Sequence, residues 1–362
     1  MTESSGLDFL VNRGDWNDHR LDENPKPVLT SGQILFRVDR FAFAANNISY
    51  AVTGDMLGYW RFFPAPDGWG RLPVMGYGEV VGSERSGVSV GTRCFGFYPM
   101  SRYVVIEPSH AGPDLIIEGA PHREGIAPFY NQFLPTTADP LYAPEHEDVL
   151  MLMRGLFMTA FLAEDFLTDQ DLGEKLTVIS SASSKTAIAL AHCVKTQART
   201  QAIGLTSQRN LEFVRSLGCY DKVLTYDEAA TLDAATPAVF VDMAGNSALR
   251  RTIHEHFGDR LRHSSIIGAT HWDQGGGSDD GLPGSKPAFF FAPGQAEKRT
   301  AEWGAKELQS RIASAWNGLR EFTEQWMKIE RGSGREAVAQ VYEKTLQGTC
   351  APQTGQILSL WD

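Results

Sequence analysis

The sequence predicts an α/β protein in which a small, glycine-turned β domain precedes a doubly wound parallel sheet. Three observations carry that expectation. Between residues 32 and 106, short apolar stretches are punctuated by glycines at turn-like intervals, the pattern of a small barrel-like β domain. From Lys175 onward an apolar strand (Leu176–Ile179), a run of small polar residues (Ser180–Thr186), an alanine-rich helix and a second apolar strand (Ala202–Leu205) make a βαβ unit. Beyond Tyr226 strand and helix patterns keep alternating, which a parallel sheet requires.

In chain order, residues 1–30 are polar, end in Pro25-Lys26-Pro27 and read as a ragged lead-in. Gln33–Ala42, Leu72–Ser83 and Ser101–Ile106 have strand-like mixing of apolar and polar residues, with a glycine-turned segment at Gly87–Phe97. Residues 107–148 are proline-rich and read as connection, and Leu150–Phe166 is apolar on a helical period, as for a packing helix between domains. After the βαβ unit come a helix at Asn210–Leu217, strands at Lys222–Tyr226 and Ala238–Asp242, a helix at Leu249–Phe257 and a strand at Ser264–Gly268. Gly275–Gly281 reads either as a plain linker or as an active-site lid. Phe289–Phe291 suits a buried or subunit-pairing strand, Ala301–Ile329 a long amphipathic helix, and Gly355–Leu360 a closing strand. The implied division is a lead-in at 1–30, one domain from 31–150 plus 301–362, and a second domain from 151–300.

Composition bounds the function. With 42% hydrophobic and 21% charged residues, the chain can bury two cores. A formal net charge of −11 argues against a nucleic-acid partner, because phosphate-binding surfaces need clustered Lys and Arg. Cys94, Cys193, Cys219 and Cys350 are far apart with no C-x-x-C pair, which suits a reducing cytoplasm and offers no zinc-ribbon spacing. Neither a signal-peptide pattern nor an apolar run of membrane-spanning length is present, so the expectation is a cytoplasmic protein without a membrane partner. In a parallel sheet, ligands collect where strands end and helices begin, since helix N-termini offer free N–H groups to phosphate oxygens. The βαβ unit therefore reads as the cofactor floor of an oxidoreductase.

Two stretches carry a family resemblance: Gly87–Phe97, similar to a "GV-x-x-GDRV-x-G" turn, and Thr206–Gly218, which follows a strand–helix–"LGA" pattern. Val241-Asp242-Met243-Ala244-Gly245 matches a later "VD-x-x-G" motif. With the order of the elements, these make the chain resemble the medium-chain dehydrogenase/reductase superfamily, in particular its zinc-free quinone reductase and enoyl reductase branch. The resemblance implies a GroES-like β-rich domain plus a Rossmann-type cofactor domain, and NADP(H) as cofactor. The zinc-binding branch has a Cys and a "GHE" His; the corresponding stretches here read Ala44–Tyr50 and Gly76-Tyr77-Gly78-Glu79, so no metal is expected. Relatives carry glycines in the phosphate loop, whereas Ser180–Thr186 has none. Either Ser181, Ser183, Ser184, Lys185 and Thr186 hold phosphate by another geometry, or cofactor binding has been lost and Lys185 is a surface charge.

The end of the second strand of the unit reads Thr206-Ser207-Gln208-Arg209 rather than ending in a carboxylate. Ser207 and Arg209 suit a 2′-phosphate, favouring NADPH over NADH; the other reading of Arg209 is an exposed helix-start charge. Tyr226 resembles a tyrosine near the adenosine phosphate of related reductases. His271, after the strand ending at Gly268, reads as a cofactor contact, an acid or a solvent-exposed loop residue, and His254-Glu255-His256 as a surface feature. With no metal, hydride would pass to an activated C=C or a quinone, and the protein must stabilise the developing enolate. By resemblance Asn47 and Tyr50 lie on the cleft-lining segment and Tyr59 near a proton-donating tyrosine of some relatives; on so aromatic a segment tyrosine is more often simple packing, which is the other reading of Tyr50 and Tyr59. The expected reading is a zinc-independent, NADPH-dependent oxidoreductase acting on an apolar or aromatic, carbonyl-conjugated small molecule, forming a homodimer through Phe289–Phe291. Its rivals are an alcohol/ketone oxidoreductase on the same fold and a non-catalytic member that has lost nucleotide binding.

Overall fold

The computed structural model describes residues 5–172, 175–267 and 281–362. They form two units: Met1–Leu152 with Lys328–Asp362, and Met153–Met327. In the first, β1 (Ser5–Asn12) and β2 (Asp15–Pro25) pair antiparallel. Residues 1–30 are thus not a lead-in. Phe9 and Val11 are fully buried, and Phe9 packs against His19 and Tyr342 with ring centroids 5.2 and 5.0 Å away. The polar sequence misleads because β2 is an edge strand with little to bury.

Then follow β3 (Ile34–Phe43), α1 (Ala45–Val52), β4 (Trp69–Gly70), β5 (Pro73–Ser83), β6 (Arg93–Pro99) and β7 (Tyr103–Ile106). The stretch 107–148, read as connection, contributes β8 (Pro108–Ala111), β9 (Ile116–Glu118) and β10 (Gln132–Pro135). Their shortness hides them from any periodicity test. α2 (Glu147–Asp169) begins in the first unit and continues into the second. Its first residue, Glu147, is 4% exposed, accepts from Arg93 at 2.9 Å and from Tyr142 Oη at 2.9 Å, and pairs with Arg40. A carboxylate at a helix start suits the positive end of the helix dipole, and the arginines compensate its burial.

The second unit holds β11 (Leu176–Ile179), α3 (Lys185–Gln197), β12 (Gln201–Thr206), α4 (Leu211–Ser216), β13 (Lys222–Thr225), β14 (Ala238–Asp242), α5 (Ser247–Phe257), β15 (Leu261–Ile266) and β16 (Pro287–Phe289). All six strands pair in parallel, in the order β13-β12-β11-β14-β15-β16. β11 and β14 are buried at every position, as strands covered on both faces must be. One cluster joins Val178, Ile203, Leu205 and Phe240 of the strands to Leu249, Ile253 and Phe257 of α5. α6 (Ala292–Trp303) and α7 (Ala305–Trp326) complete the unit. The single helix expected over 301–329 is therefore two, broken at Gly304, whose φ of +84° few other residues adopt. On α7, Leu308, Ile312, Trp316 and Leu319 are buried at helical spacing, each stabilising by about 1.5–3 kcal/mol. α7 belongs to the second unit, not to the β-rich domain as the sequence suggested.

The chain returns to the first unit with β17 (Lys328–Ser333), α8 (Gly334–Leu346) and β18 (Thr354–Ser359). β18 pairs with β3, closing the nine-stranded sheet that runs on through β5, β6 and β10. Among the described residues no helix is long and apolar enough to cross a membrane. His271 and the glycine run 275–280 lie outside the described residues.

Candidate nucleotide and substrate sites

The second unit's strand order reverses between β11 and β14, and a doubly wound sheet admits its ligand outside the carboxyl ends of the strands at that reversal. Here the reversal is cross-braced. Ser180, fully buried after β11, donates from its hydroxyl to Asp242 Oδ1 at 2.8 Å and accepts from the N–H groups of Met243 (2.9 Å) and Ala244 (3.0 Å). Asp242, also fully buried, takes Arg250 Nη1 at 2.7 Å on its other oxygen. Its Oδ1 accepts from the Gly245 N–H as well, at 3.0 Å. The "VD-x-x-G" residues are thus a frame rather than a contact surface.

The glycine-free loop is built the same way. Ser181 sits at φ 50°, in the left-handed region where a glycine would be unstrained. Its backbone carbonyl accepts from the Ser184 N–H at 2.8 Å, closing a tight turn. Ser183 Oγ accepts from Asn210 Nδ2 at 3.0 Å, and Ser184 caps α3 by accepting from the Ala187 N–H at 3.3 Å. Lys185 and Thr186, both half-buried, are the first two residues of α3; backbone N–H groups at such positions have no acceptor inside the helix. The glycine that permits close packing lies across the sheet instead. A Cβ on Gly204 of β12 would lie 2.9 Å from the Tyr220 ring and 3.0 Å from the Ala182 Cβ.

At the carboxyl ends of β12 and β13 the situation differs. Thr206 is 1% exposed, and its hydroxyl and that of Ser207 are buried with no hydrogen-bond partner among the described residues. Orphaned buried hydroxyls are uncommon and costly, by about 1–3 kcal/mol each. Arg209, two residues on, is exposed. Tyr226, just past β13, lies within hydrogen-bonding reach of the Ser181 N–H and hydroxyl; burial pushes its phenol up to about 12, against the lowering effect of those bonds and of Arg209. Ser181, Ser183, Ser184, Lys185, Thr186, Ser207, Arg209 and Tyr226 are thus gathered at one end of one sheet. These residues fit an adenine nucleotide with an extra phosphate: two unsatisfied hydroxyls, a cation and a helix start.

The first unit carries a cluster of phenols. Tyr59 stands on a 3-10 turn, Tyr59–Arg61, fixed by Trp60. A Cβ on Gly54 or Gly70 would meet the Trp60 indole at 2.2 or 2.3 Å, so both glycines are needed for the ring to seat there. Tyr50, on α1, packs on Tyr59 with ring centroids 4.7 Å apart. Tyr59 Oη and Tyr130 Oη lie 3.1 Å apart. Phe62 and Phe97 pack on Tyr130 at 5.3 and 5.2 Å, and Phe129 packs on it at 5.7 Å. Burial raises the pKa of all three phenols, so they remain neutral at physiological pH. Arg123, 2% exposed, lies 4.7 Å from both the Phe62 and Phe63 rings, and donates to Asn131 Oδ1 at 3.2 Å and to the Tyr130 carbonyl at 3.4 Å. Burial pushes its guanidinium down to about 10.

Two sequence readings change. Asn47 is 2% exposed; its Oδ1 accepts from the Ala44 N–H (2.8 Å) and its Nδ2 donates to the Pro73 carbonyl (3.0 Å). It joins the start of α1 to β5, a structural role in place of the expected substrate contact. His254, read as a surface residue, is fully buried between the Pro283 carbonyl (2.9 Å) and Ser264 Oγ (3.0 Å). It falls on the apolar face of α5 with Arg250, Ile253 and Phe257, a spacing visible in the sequence. Sequence does not single out Tyr130 and Arg123, which sit in short turns of a proline-rich stretch with no motif around them.

Comparison with known proteins agrees with this architecture. A family model described as "Protein of unknown function (DUF2855)" matches residues 41–351, and the chain belongs to that family. No curated protein matches the chain. Among solved structures it is similar to CurA from Vibrio vulnificus, with a TM-score of 0.63 and 12% identity over 99% of each chain. It is also similar to TarJ of S. aureus in complex with NADPH (TM-score 0.56, 10% identity, 99% of each chain). The quinone oxidoreductase from Coxiella burnetii is a third (TM-score 0.52, 14% identity, 98% of this chain and 99% of that one). At such identities the likeness is one of fold alone: a GroES-like β-rich domain with a Rossmann-type parallel sheet.

Proposed function

We propose that this chain is a zinc-independent, NADPH-dependent oxidoreductase whose acceptor is a planar, carbonyl-conjugated C=C or a quinone. The observation that carries the reading is the pair of unpartnered buried hydroxyls, Thr206 and Ser207, beside the exposed Arg209 at the end of β12. In a sheet of this strand order that is where a dinucleotide's adenosine ribose lies, and a cation with hydroxyl donors in place of a carboxylate favours a 2′-phosphate. The start of α3 at Lys185 and Thr186 would receive the pyrophosphate, and Tyr226 would border the adenosine. Bound there, the cofactor supplies the hydride. The NADPH complexes of two proteins of like fold, TarJ and CurA, agree with the choice.

The chain's own residues must orient the acceptor and hold the negative charge that develops on its oxygen. Neutral, buried phenols in an aromatic surround suit a planar acceptor, and Tyr50 and Tyr59 are the candidates read from sequence. A non-catalytic role is favoured by one observation: the hydroxyls of Ser180, Ser183 and Ser184 are all engaged within the protein. Phe289 of the edge strand β16 and Phe291, just before α6, are 54% and 44% exposed, which supports a homodimer paired there. The test of activity is NADPH oxidation at 340 nm with an enone and a naphthoquinone. Turnover with either, and none with simple aldehydes or ketones, supports the reading; nucleotide binding without turnover of any acceptor contradicts it.

A further inference from the structure

Two phenols that share one hydrogen bond own two O–H groups, and only one of these is used between them. Tyr59 and Tyr130 are in that position: their oxygens are 3.1 Å apart and, among the described residues, neither hydroxyl makes a further side-chain hydrogen bond. Tyr59 is 7% exposed while Tyr130 is half-buried, so the pair reaches the surface of its unit rather than being sealed inside it. Phe62, Phe97 and Phe129 surround Tyr130 edge-on or tilted, at 5.2 to 5.7 Å. Apolar walls strengthen a hydrogen bond made there, and a donor that itself accepts a hydrogen bond is polarised into a better donor.

We propose that the Tyr59–Tyr130 pair is an oxyanion site: the spare O–H of the pair binds the oxygen of a planar conjugated carbonyl or quinone. Tyr130 is then a further catalytic residue, supplied by the 108–135 stretch rather than by any family motif. The pair holds neutral donors, so it takes an oxygen that is becoming negative and has no preference for a cation. Arg123 positions Tyr130: it grips the turn through the Tyr130 carbonyl and Asn131, and its charge beside Phe62 favours an anion nearby. Tyr50, though packed on Tyr59, is not part of the hydroxyl pair. This inference rests on the acceptor class proposed above, and deepens it by fixing which atoms hold the acceptor's oxygen.

The experiment titrates the full chain with 4-nitrophenolate, an oxyanion on a flat ring, in wild type and in Tyr59→Phe, Tyr130→Phe and Tyr50→Phe, following the nitrophenolate absorbance. Each substitution removes one hydroxyl and keeps the ring, and circular dichroism and melting temperature verify folding. Saturable binding that weakens roughly tenfold or more in Tyr59→Phe and in Tyr130→Phe, but about twofold or less in Tyr50→Phe, is expected for a charge-assisted hydrogen bond. Failure of wild type to bind, or equal binding by wild type and Tyr130→Phe, overturns the proposal. NADPH titration of the same variants separates the two claims. Nitrophenolate discrimination without NADPH binding leaves the oxyanion site standing and removes the reductase reading, and the converse result does the opposite.

Discussion

The loop after β11 and the phenol cluster of the first unit treat their polar groups in opposite ways. In the loop, Ser180, Ser183 and Ser184 all bond to the protein, and the buried Asp242–Arg250 pair fastens the reversal point. In the cluster, two phenols share one hydrogen bond and keep an O–H in hand. The difference teaches where binding capacity resides. A serine in a phosphate loop is not a ligand merely by being polar; here the serines replace glycine's freedom with cross-links, and unspent donors lie one strand over, at Thr206 and Ser207.

The comparison breaks most visibly at Arg250. Arg250→Met leaves Asp242 a buried charge without its cation, and about 3–5 kcal/mol of stability should be lost, read from the urea midpoint. Ser180→Ala strips Asp242, Met243 and Ala244 of a shared partner, for an expected loss of about 2–3 kcal/mol. A stability change under about 0.5 kcal/mol in either variant would show that the frame is not what holds the reversal point.

Arg209→Ala sharpens the contrast, because it leaves the Ser180–Asp242–Arg250 frame in place. Stability should stay within about 0.5 kcal/mol of wild type, while NADPH affinity falls roughly tenfold or more and NADH affinity stays level. A weaker effect is expected from alkaline titration. The Tyr226 phenol, raised to about 12 by burial, favours the neutral form in the folded protein. Its contribution to stability is full below pH ~10, the ordinary tyrosine range, and is lost as pH rises through about 12. Comparing the alkaline stability of wild type and Tyr226→Phe checks this; a phenol titrating near its ordinary value would contradict the burial described.

Much of the fold was legible because parallel strands buried on both faces are continuous apolar runs: Leu176–Ile179 and Ala238–Asp242 stand out at sight. β2 was lost because it is a polar edge strand, and β8, β9 and β10 because three or four residues carry no period. At the site, the gathering of Ser181 to Thr186 with Ser207, Arg209 and Tyr226 follows from strand ends that sequence locates well. Sequence did not reveal which hydroxyls are spent. That depends on partners far along the chain, such as Ser180 with Asp242 or Ser183 with Asn210. Tyr59 meets Tyr130 across seventy-one residues, so the pair exists only once the fold does.

The most direct measurement is a calorimetric titration of the purified chain with NADPH and with NADH, alongside Arg209→Ala and Ser207→Ala. The account predicts saturable NADPH binding, tighter than NADH, that both substitutions weaken while the protein stays folded. A folded wild-type protein that binds neither nucleotide would contradict it, and would leave the cross-braced loop as the frame of a protein that has given up its cofactor.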